Sequence, residues 1–171
     1  MRLKQLKPST RNTAVFIIAA SVAILLDQVS KALVVAYTQP GESLTLIPHV
    51  LHLTYSTNTG GAFGIMRGSG QIVFLAAVVI VAVVFGSFLV MRGRGSIWAF
   101  VGLGLLIGGA LGNLIDRVVR HKVVDFFDLG WWPVFNVADI AIAAGVIIVL
   151  LVFAFEFLKE DAAKKPDDGG A

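Results

Sequence analysis

Four aspartates lie within, or just at the end of, long apolar segments of this chain: Asp27, Asp116, Asp125 and Asp139. A charged side chain at the centre of a bilayer costs about 2.5–3.5 kcal/mol, even on the insertion scales that give the lowest penalties. Aspartates in such segments are therefore expected either to be paired with another polar group or to carry out chemistry.

Asp125 and Asp139 are the pair that best fits catalysis. Asp125 is flanked by valines and phenylalanines, and Asp139 lies in the first turn of a predicted apolar helix. Two carboxyl groups in a partly apolar site cannot easily both ionise, so the pair can hold one proton. One then acts as a base on water and the other protonates a leaving amine, which hydrolyses a peptide bond. The structural alternative is that Asp139 only caps its helix.

Two other polar clusters lie on predicted membrane helices. Asp27 and Lys31 are four residues apart, so they share a helix face and can neutralise each other. Asn113, Asp116 and Arg117 share another face and could hold a peptide backbone or a carboxylate. Both clusters also have a structural interpretation, either as a buried ion pair or as side chains that reach for the membrane interface.

The remaining candidates carry weaker signals. Asn58 begins a glycine-rich segment, residues 58–64, that permits close backbone approach, so Asn58 could bind a substrate amide, although an ordinary turn is the default. His49, His52 and His121 are too few and too scattered for a convincing metal site. The chain has no cysteine, which excludes thiolate ligands and a cysteine nucleophile. We therefore expect neither a metal nor another cofactor.

The composition is that of a membrane protein. Of the 171 residues, 57% are hydrophobic, against about 45–50% in soluble domains. Four apolar stretches, near residues 13–37, 71–91, 97–115 and 137–157, are each close to the ~20 residues of a spanning helix. We predict one domain, residues 1–157, that is an all-α membrane protein with four transmembrane helices. The charged, glycine-rich residues 158–171 are predicted to form a disordered cytoplasmic tail.

The segments outside the membrane also carry patterns. Loose alternation of leucines and threonines over about residues 43–64 predicts a small β-platform on the outer face. Gly104, Gly108 and Gly112 form a repeated G-x-x-x-G, which is a helix-packing device in lipid. The basic residues place both termini and the loop of Arg92 and Arg94 in the cytoplasm, because cytoplasmic loops are richer in Lys and Arg. They do not indicate a nucleic-acid partner.

A proton-coupled transporter or a membrane assembly factor is the alternative function. Its acidic and basic pairs would relay protons. Relay residues are expected at several depths in the membrane, whereas Asn113, Asp116, Asp125, Asn136 and Asp139 are all predicted at one face. No inverted repeat is evident in the sequence either. These features favour chemistry at a membrane surface.

In order along the chain, five segments resemble the signal peptidase II, or lipoprotein signal peptidase, family, and the likeness covers about residues 13–157. They are DQVSK (27–31), NTGGAFG (58–64), GGALGNLIDRV (108–118), VVDF (123–126) and FNVAD (135–139). The second segment departs slightly, because the family usually has Gly-Ala-Ala-Phe where this chain has Gly-Gly-Ala-Phe at 60–63. Asn58 and Phe63 are retained.

The resemblance implies an aspartyl endopeptidase of the bacterial inner membrane with an extramembrane β-cradle and an active site at the periplasmic face. It would cleave prolipoproteins that carry a diacylglyceryl group, just before the lipobox cysteine. The family's catalytic pair falls on Asp125 and Asp139. Its supporting residues fall on Asp27, Lys31, Asn58, Asn113, Arg117 and Asn136. Globomycin-type cyclic peptides are expected inhibitors, membrane lipid is an expected partner, and we expect a monomer.

Overall fold

The structure, a computed structural model, describes residues 10–58, 79, 82–88 and 95–164. Four helical elements and three strands occupy these residues. In chain order they are α1 (Thr10–Tyr37), β1 (Ser43–Ile47), β2 (Leu51–Asn58), α2 (residues 82–88), α3 (Ile97–Arg120), β3 (Val123–Asp128) and α4 (Val137–Lys164).

Three of the described helical segments are long and apolar enough to cross a membrane: Thr10–Tyr37, Ile97–Arg120 and Val137–Asp161. They correspond to the first, third and fourth predicted spans. The predicted span at residues 71–91 lies mostly outside the described residues, and its described part, residue 79 and α2, is helical. The protein is thus mostly helical, and the arrangement with four spans stays a prediction.

The C-terminal boundary differs from the prediction. The predicted disordered tail begins at residue 158, but α4 continues to Lys164, so the prediction is wrong for residues 158–164. The segment was interpreted as disordered because it is charged, yet Leu, Lys, Glu and Ala are among the strongest helix formers. The remainder of the predicted tail, residues 165–171, lies outside the described residues.

Glycines on two faces of α3 bring its backbone against the neighbouring helices. A Cβ atom on Gly104 would stand 2.6 Å from the carbonyl oxygen of Phe16 in α1. On the other face, a Cβ on Gly145 of α4 would stand 2.7 Å from the carbonyl oxygen of Gly102. Such close approach is how small residues pack helices in lipid. The helix α3 is accordingly the central one, with 61% of its apolar window buried, against 22% in α1 and 17% in α4.

Aromatic rings extend this packing to α2. Phe16 and Phe88 stack with ring centroids 4.1 Å apart, and Phe88 meets Phe100 edge to face at 6.1 Å. The three rings belong to a buried apolar cluster that joins α1, α2 and α3. Packing of this kind fixes the relative depth of helices that carry polar groups elsewhere along their length.

The three strands form one antiparallel sheet in the order β1-β2-β3. The β-structure predicted for this segment is therefore confirmed for Ser43–Ile47 and Leu51–Asn58, and its location on the outer face stays a prediction. The last part of the segment, residues 59–64, lies outside the described residues. The third strand comes from the segment between α3 and α4, and it places Asp125 opposite Ser56 of β2. Val124 and Phe126 pack beneath the sheet against Val34 of α1.

Short connections hold β3 between two helices. The helix α3 ends at Arg120, and the next residue, His121, adopts a left-handed conformation (φ 59°) that turns the chain directly into β3. After β3 the chain returns along it, because the backbone N–H groups of Phe126 and Phe127 both donate to the carbonyl oxygen of Phe135. The next residue, Asn136, precedes α4. The end of α3, the strand β3 and the start of α4 therefore lie together.

Candidate active site

Buried polar residues are concentrated at this junction. Six of the nine predicted site residues have a relative exposure of 8% or less: Asp27, Lys31, Asn113, Asp116, Asp125 and Asn136. Within the described residues, every buried side-chain nitrogen or oxygen has a hydrogen-bond partner. A polar network that is satisfied throughout holds its members in one arrangement, because any broken contact leaves a buried group unpaired.

Asp139 caps α4, together with Asn136. The backbone N–H of Asn136 donates to Asp139 Oδ2 (3.1 Å), and the backbone N–H of Asp139 donates to Asn136 Oδ1 (3.1 Å). This reciprocal pattern is a capping box, so the structural role considered for Asp139 is confirmed. It leaves Asp139 Oδ1 to accept a hydrogen bond from the Asn113 side-chain amide at 2.9 Å. Asp139 can therefore cap α4 with one oxygen and take part in the polar site with the other.

Two asparagine amides link Asp125 to Asp139. The Asn136 amide donates to Asp125 Oδ1 at 2.6 Å and to Asn113 Oδ1 at 3.1 Å. The Asn113 amide in turn donates to Asp139. The chain of contacts thus runs from one carboxylate through two amides to the other. It brings β3, α3 and the start of α4 together.

The carboxyl group of Asp125 has an altered proton affinity. Burial raises its pKa to about 6, and the negative charge of Asp139 acts in the same direction. Hydrogen bonds from Asn136 and Asn58 and the positive charge of Lys31 act against this rise. Asp125 therefore holds a proton at a pH where a free aspartate, with a pKa of ~3.9, has lost it. The strand β2 contributes to the site through Asn58.

Lys31 is the centre of the network. Its ammonium group lies 2.9 Å from Asp27 Oδ2, 3.0 Å from Asp116 Oδ2 and 2.9 Å from Asn113 Oδ1. These acceptors match the three N–H donors of an ammonium group. Asn113 Oδ1 also accepts from Asn136, so the Asn113 amide nitrogen is turned toward Asp139. Lys31 is accordingly a positioning residue, with no donor left for a substrate.

Asp27 joins α1 to the start of α4. Its Oδ1 atom accepts a hydrogen bond of 3.0 Å from the backbone N–H of Ala138, while Oδ2 binds Lys31. A carboxylate at a helix N-terminus is favoured by the helix dipole and satisfies a backbone N–H group that has no partner within the helix. The closeness depends on Gly112, because a Cβ atom there would stand 2.5 Å from Asp27 Oδ2.

Asp116 joins α3 to β3. The alternative interpretation of Asp116 as a side chain that reaches for the membrane interface is wrong, because Asp116 is fully buried and pairs with Lys31 and Arg120. Its Oδ2 atom also accepts the backbone N–H of Val124 at 3.2 Å. This hydrogen bond anchors β3 to α3 at Val124, the residue before Asp125.

Arg117 lies beside the two central aspartates. Its guanidinium donates to the carbonyl oxygen of Asn113 at 3.1 Å and interacts electrostatically with Asp125 and Asp139. It is partly exposed. A cation in this position can stabilise negative charge that develops near the two carboxyl groups.

Two residues of the network were not predicted as site residues. Gln28 donates to Asp27 Oδ2 at 3.0 Å and to the carbonyl oxygen of Gly112 at 3.1 Å. Arg120 pairs with Asp116 four positions earlier. The i, i+4 spacing of Asp116 and Arg120 is a signal that could have identified the second. Gln28 belongs to the DQVSK segment, but its residue type and spacing alone do not distinguish it.

Within the described residues, no group of three or more histidine, aspartate or glutamate side chains is arranged to hold a metal ion. The chemistry that the site offers is proton transfer by two carboxyl groups, supported by amide donors and one nearby cation. Such a set can activate water and protonate a leaving group without a covalent intermediate.

Comparison with known proteins shows consistent similarity. The family model described as signal peptidase (SPase) II matches residues 19–155. The lipoprotein signal peptidase of Syntrophomonas wolfei is 45% identical over 141 residues, which cover 82% of this chain and 93% of that protein. The lipoprotein signal peptidase of Mycobacterium leprae is 41% identical over 146 residues, covering 81% of this chain and 71% of that protein.

Two solved structures of bacterial membrane enzymes are similar to this chain in fold and in sequence. A bacterial membrane enzyme determined by the in meso method at 2.3 Å resolution superposes with a TM-score of 0.79 at 30% identity, covering 97% of this chain and 99% of that one. A second bacterial membrane enzyme, determined in the same way at 1.9 Å, gives a TM-score of 0.75 at 31% identity, covering 87% of this chain and 97% of that one.

Proposed function

The chain belongs to the signal peptidase II family, and from this premise we propose that it is an aspartic endopeptidase of the bacterial inner membrane. Its substrates are prolipoproteins that carry a diacylglyceryl group, and it removes their signal peptides by cleaving before the lipobox cysteine. The observation that carries the proposal is the link from Asp125 through the Asn136 and Asn113 amides to Asp139.

Below about pH 6 the pair holds one proton, and we assign it to Asp125, whose pKa is raised to about 6 by burial. Asp139 is then the base. It takes a proton from a water molecule, whose oxygen attacks the carbonyl carbon of the scissile peptide. Asp125 gives its proton to the leaving amine nitrogen as the C–N bond breaks, and proton transfer from Asp139 to Asp125 restores the starting state.

The other residues position this pair. Asp27, Lys31, Asn113, Asp116 and Asn136 hold the carboxyl groups in place through the contacts described above. Asn58, from β2, hydrogen-bonds Asp125. Arg117 stabilises the negative charge that forms on the carbonyl oxygen, since it interacts with both aspartates and is partly exposed.

The membrane explains why the site needs so many polar residues. The acyl chains of the substrate remain in one leaflet, so its scissile bond lies at the edge of the hydrocarbon region. Polar side chains at the ends of α1, α3 and α4 provide a site for water that lipid cannot provide. We place this end, with the β-platform, on the periplasmic side of a protein with four spans, and both termini in the cytoplasm, following the positive-inside rule.

The transporter hypothesis is less well supported. A proton relay needs ionisable groups spread across the membrane, whereas the buried charged residues among those described, Asp27, Lys31, Asp116 and Asp125, form one network. Charged residues gathered in one network favour a reaction at one membrane surface over proton transport across the membrane.

The proposal is tested by replacing each central aspartate separately, as Asp125→Asn and Asp139→Asn, in purified protein supplied with a lipidated precursor. We expect each variant to lose about 10²–10⁴-fold in cleavage rate, the usual contribution of a positioned acid or base. The matched control is Asp128→Asn, because Asp128 lies in the same strand but bonds Thr54 and the N–H of Gly130. Near wild-type cleavage by either central variant, with unfolding unchanged, would contradict the assignment.

A further inference from the structure

An apolar groove lies between the first turn of α3 and the C-terminal half of α4. It encloses about 640 Å³. Its walls are mostly apolar and include Trp98, Ile148, Val152 and Phe155, while Glu156 and Lys159 stand at one end. The proposed peptidase reaction uses none of these residues.

The charged end of the groove lies at the opposite side of the molecule from the paired aspartates. Ser96, which caps α3, and Asp116 are 20 positions apart on one helix, a rise of about 30 Å. Asp139 and Lys159 are also 20 positions apart on α4, again about 30 Å. This length matches the hydrocarbon core of a bilayer, about 30 Å. The rim of the groove therefore lies at the surface of the other leaflet.

Opposite charges stand side by side at this rim. Glu156 and Lys159 are three positions apart on α4, and both are exposed. The ammonium group of Lys159 lies 5.6 Å from the ring centroid of Phe155, and both residues line the groove. A ligand that complements this rim carries an anionic and a cationic group close together, followed by an apolar chain.

We infer that the groove binds one zwitterionic phospholipid, with the headgroup chemistry of phosphatidylethanolamine, from the leaflet opposite the active site. The phosphate pairs with Lys159, the headgroup ammonium pairs with Glu156, and one acyl chain lies along α4 toward Ile148. Lys159 and Ile148 are 11 positions apart, about 16 Å along a helix. This distance is about half of the ~30 Å hydrocarbon core, which is the depth of one leaflet.

The carboxylate of Glu156 disfavours an anionic phospholipid, whose headgroup has no cation to place beside it. The signal peptide of a substrate and an anionic lipid are thus the alternatives that an experiment must separate.

Lipid binding is measured by native mass spectrometry of the full chain with phosphatidylethanolamine, phosphatidylglycerol or phosphatidylcholine added in equal amounts. We expect phosphatidylethanolamine to be retained best. Glu156→Gln and Lys159→Gln each remove one charge-assisted hydrogen bond and should weaken its binding about tenfold. Both residues are exposed, so these variants are expected to fold.

A steric pair of variants tests the groove itself. Val152→Trp places a large ring in the groove and should abolish retention of the lipid, whereas Leu150→Trp, on an α4 position that is 62% exposed and outside the groove, should leave it unchanged. Equal retention of the three lipids, or equal retention by the two tryptophan variants, would overturn the inference. Displacement of the bound lipid by a synthetic signal peptide would also overturn it, because it would assign the groove to substrate.

Discussion

The carboxylate of Asp27 on α1 accepts a hydrogen bond of 3.0 Å from the backbone N–H of Ala138, the residue before Asp139 on α4. The two residues are 111 positions apart in the chain. Because Asp27 also pairs with Lys31, one carboxylate sets both the start of α4 and the ammonium group at the centre of the network. The position of Asp139 therefore depends on a residue of a different helix.

Replacement of Asp27 is expected to affect stability and activity together. Asp27→Ala removes a partner from the buried Lys31 and leaves the Ala138 N–H unpaired, and breaking a buried pair typically costs about 3–5 kcal/mol. Asp27→Asn keeps an acceptor for Ala138 and should cost less. Chemical unfolding gives the free energy of unfolding of both variants, and cleavage of the lipidated precursor gives their activity. Wild-type stability of Asp27→Ala would contradict the role assigned to this contact.

Gly112→Ala should disturb the same contact from α3, because the added Cβ would stand 2.5 Å from Asp27 Oδ2. We expect destabilisation of about 1–3 kcal/mol, the usual cost of overpacking, and a lower kcat as Asp27 is displaced. The matched control is Gly86→Ala in α2, where a Cβ would meet nothing within 4 Å. That change should be neutral or slightly stabilising, by up to about 1 kcal/mol. Equal effects of the two substitutions would refute the packing argument.

The pH dependence of catalysis should follow the carboxyl group of Asp125. Its pKa is raised to about 6, so the pair loses its last proton as the pH rises through that value. We expect a bell-shaped profile of kcat/KM with its alkaline limb near pH 6 and its acid limb where the second carboxyl group is protonated. A flat profile from acidic to neutral pH, with chemistry limiting the rate, would exclude a shared proton.

Stability should depend on pH through the same group. A pKa that is higher in the folded protein means that the folded state binds the proton more tightly than the unfolded chain does. The stabilisation from Asp125 is then fully present below about pH 4, the pKa of a free aspartate, and is lost as the pH rises to about 6. Asp125→Asn should reduce this dependence. Thermal unfolding of the wild-type protein and of Asp125→Asn, measured between these two pH values, shows how much of the pH dependence comes from Asp125.

Asp116 is expected to act on catalysis through β3. Asp116→Asn removes the negative charge that pairs with Lys31 and weakens the hydrogen bond from the Val124 N–H. We therefore expect kcat to fall while KM changes little. Arg120→Gln, which removes the less buried partner of Asp116, should have a smaller effect. A shift of the pH profile in Asp116→Asn would identify a positioning role, since a general loss of folded protein lowers activity at every pH without moving the profile.

Metal chelators should leave activity unchanged, because the proposed reaction uses carboxyl groups and water alone. Cleavage of the lipidated precursor is measured before and after prolonged chelation, with a zinc-dependent peptidase as the control for effective chelation. Marked inhibition that is reversed by adding back a divalent metal would require a different mechanism.

Several features could be predicted because they depend on local spacing or on composition. Long apolar runs indicate membrane helices wherever they occur in a chain, since the cost of placing a residue in lipid is nearly independent of the rest of the fold. The i, i+4 pairing of Asp27 with Lys31, the capping by Asp139 and the close packing at Gly104 and Gly108 follow from helix periodicity. The family resemblance added the role of Asn136 only as a member of a motif.

Other features depend on contacts between distant segments. Pairing of β2 with β3 joins strands that are separated by two of the helices, and spacing cannot specify such a register. Arg117 is the nearest cation to Asp116 in sequence, but Asp116 pairs with Lys31 and Arg120 because burial and helix orientation select among the available cations. The sequence by itself determined which ionisable groups enter apolar segments. Only the tertiary structure decided which of them meet across helices, since partners such as Lys31 and Asp116 lie on different helices that glycine-mediated packing brings close.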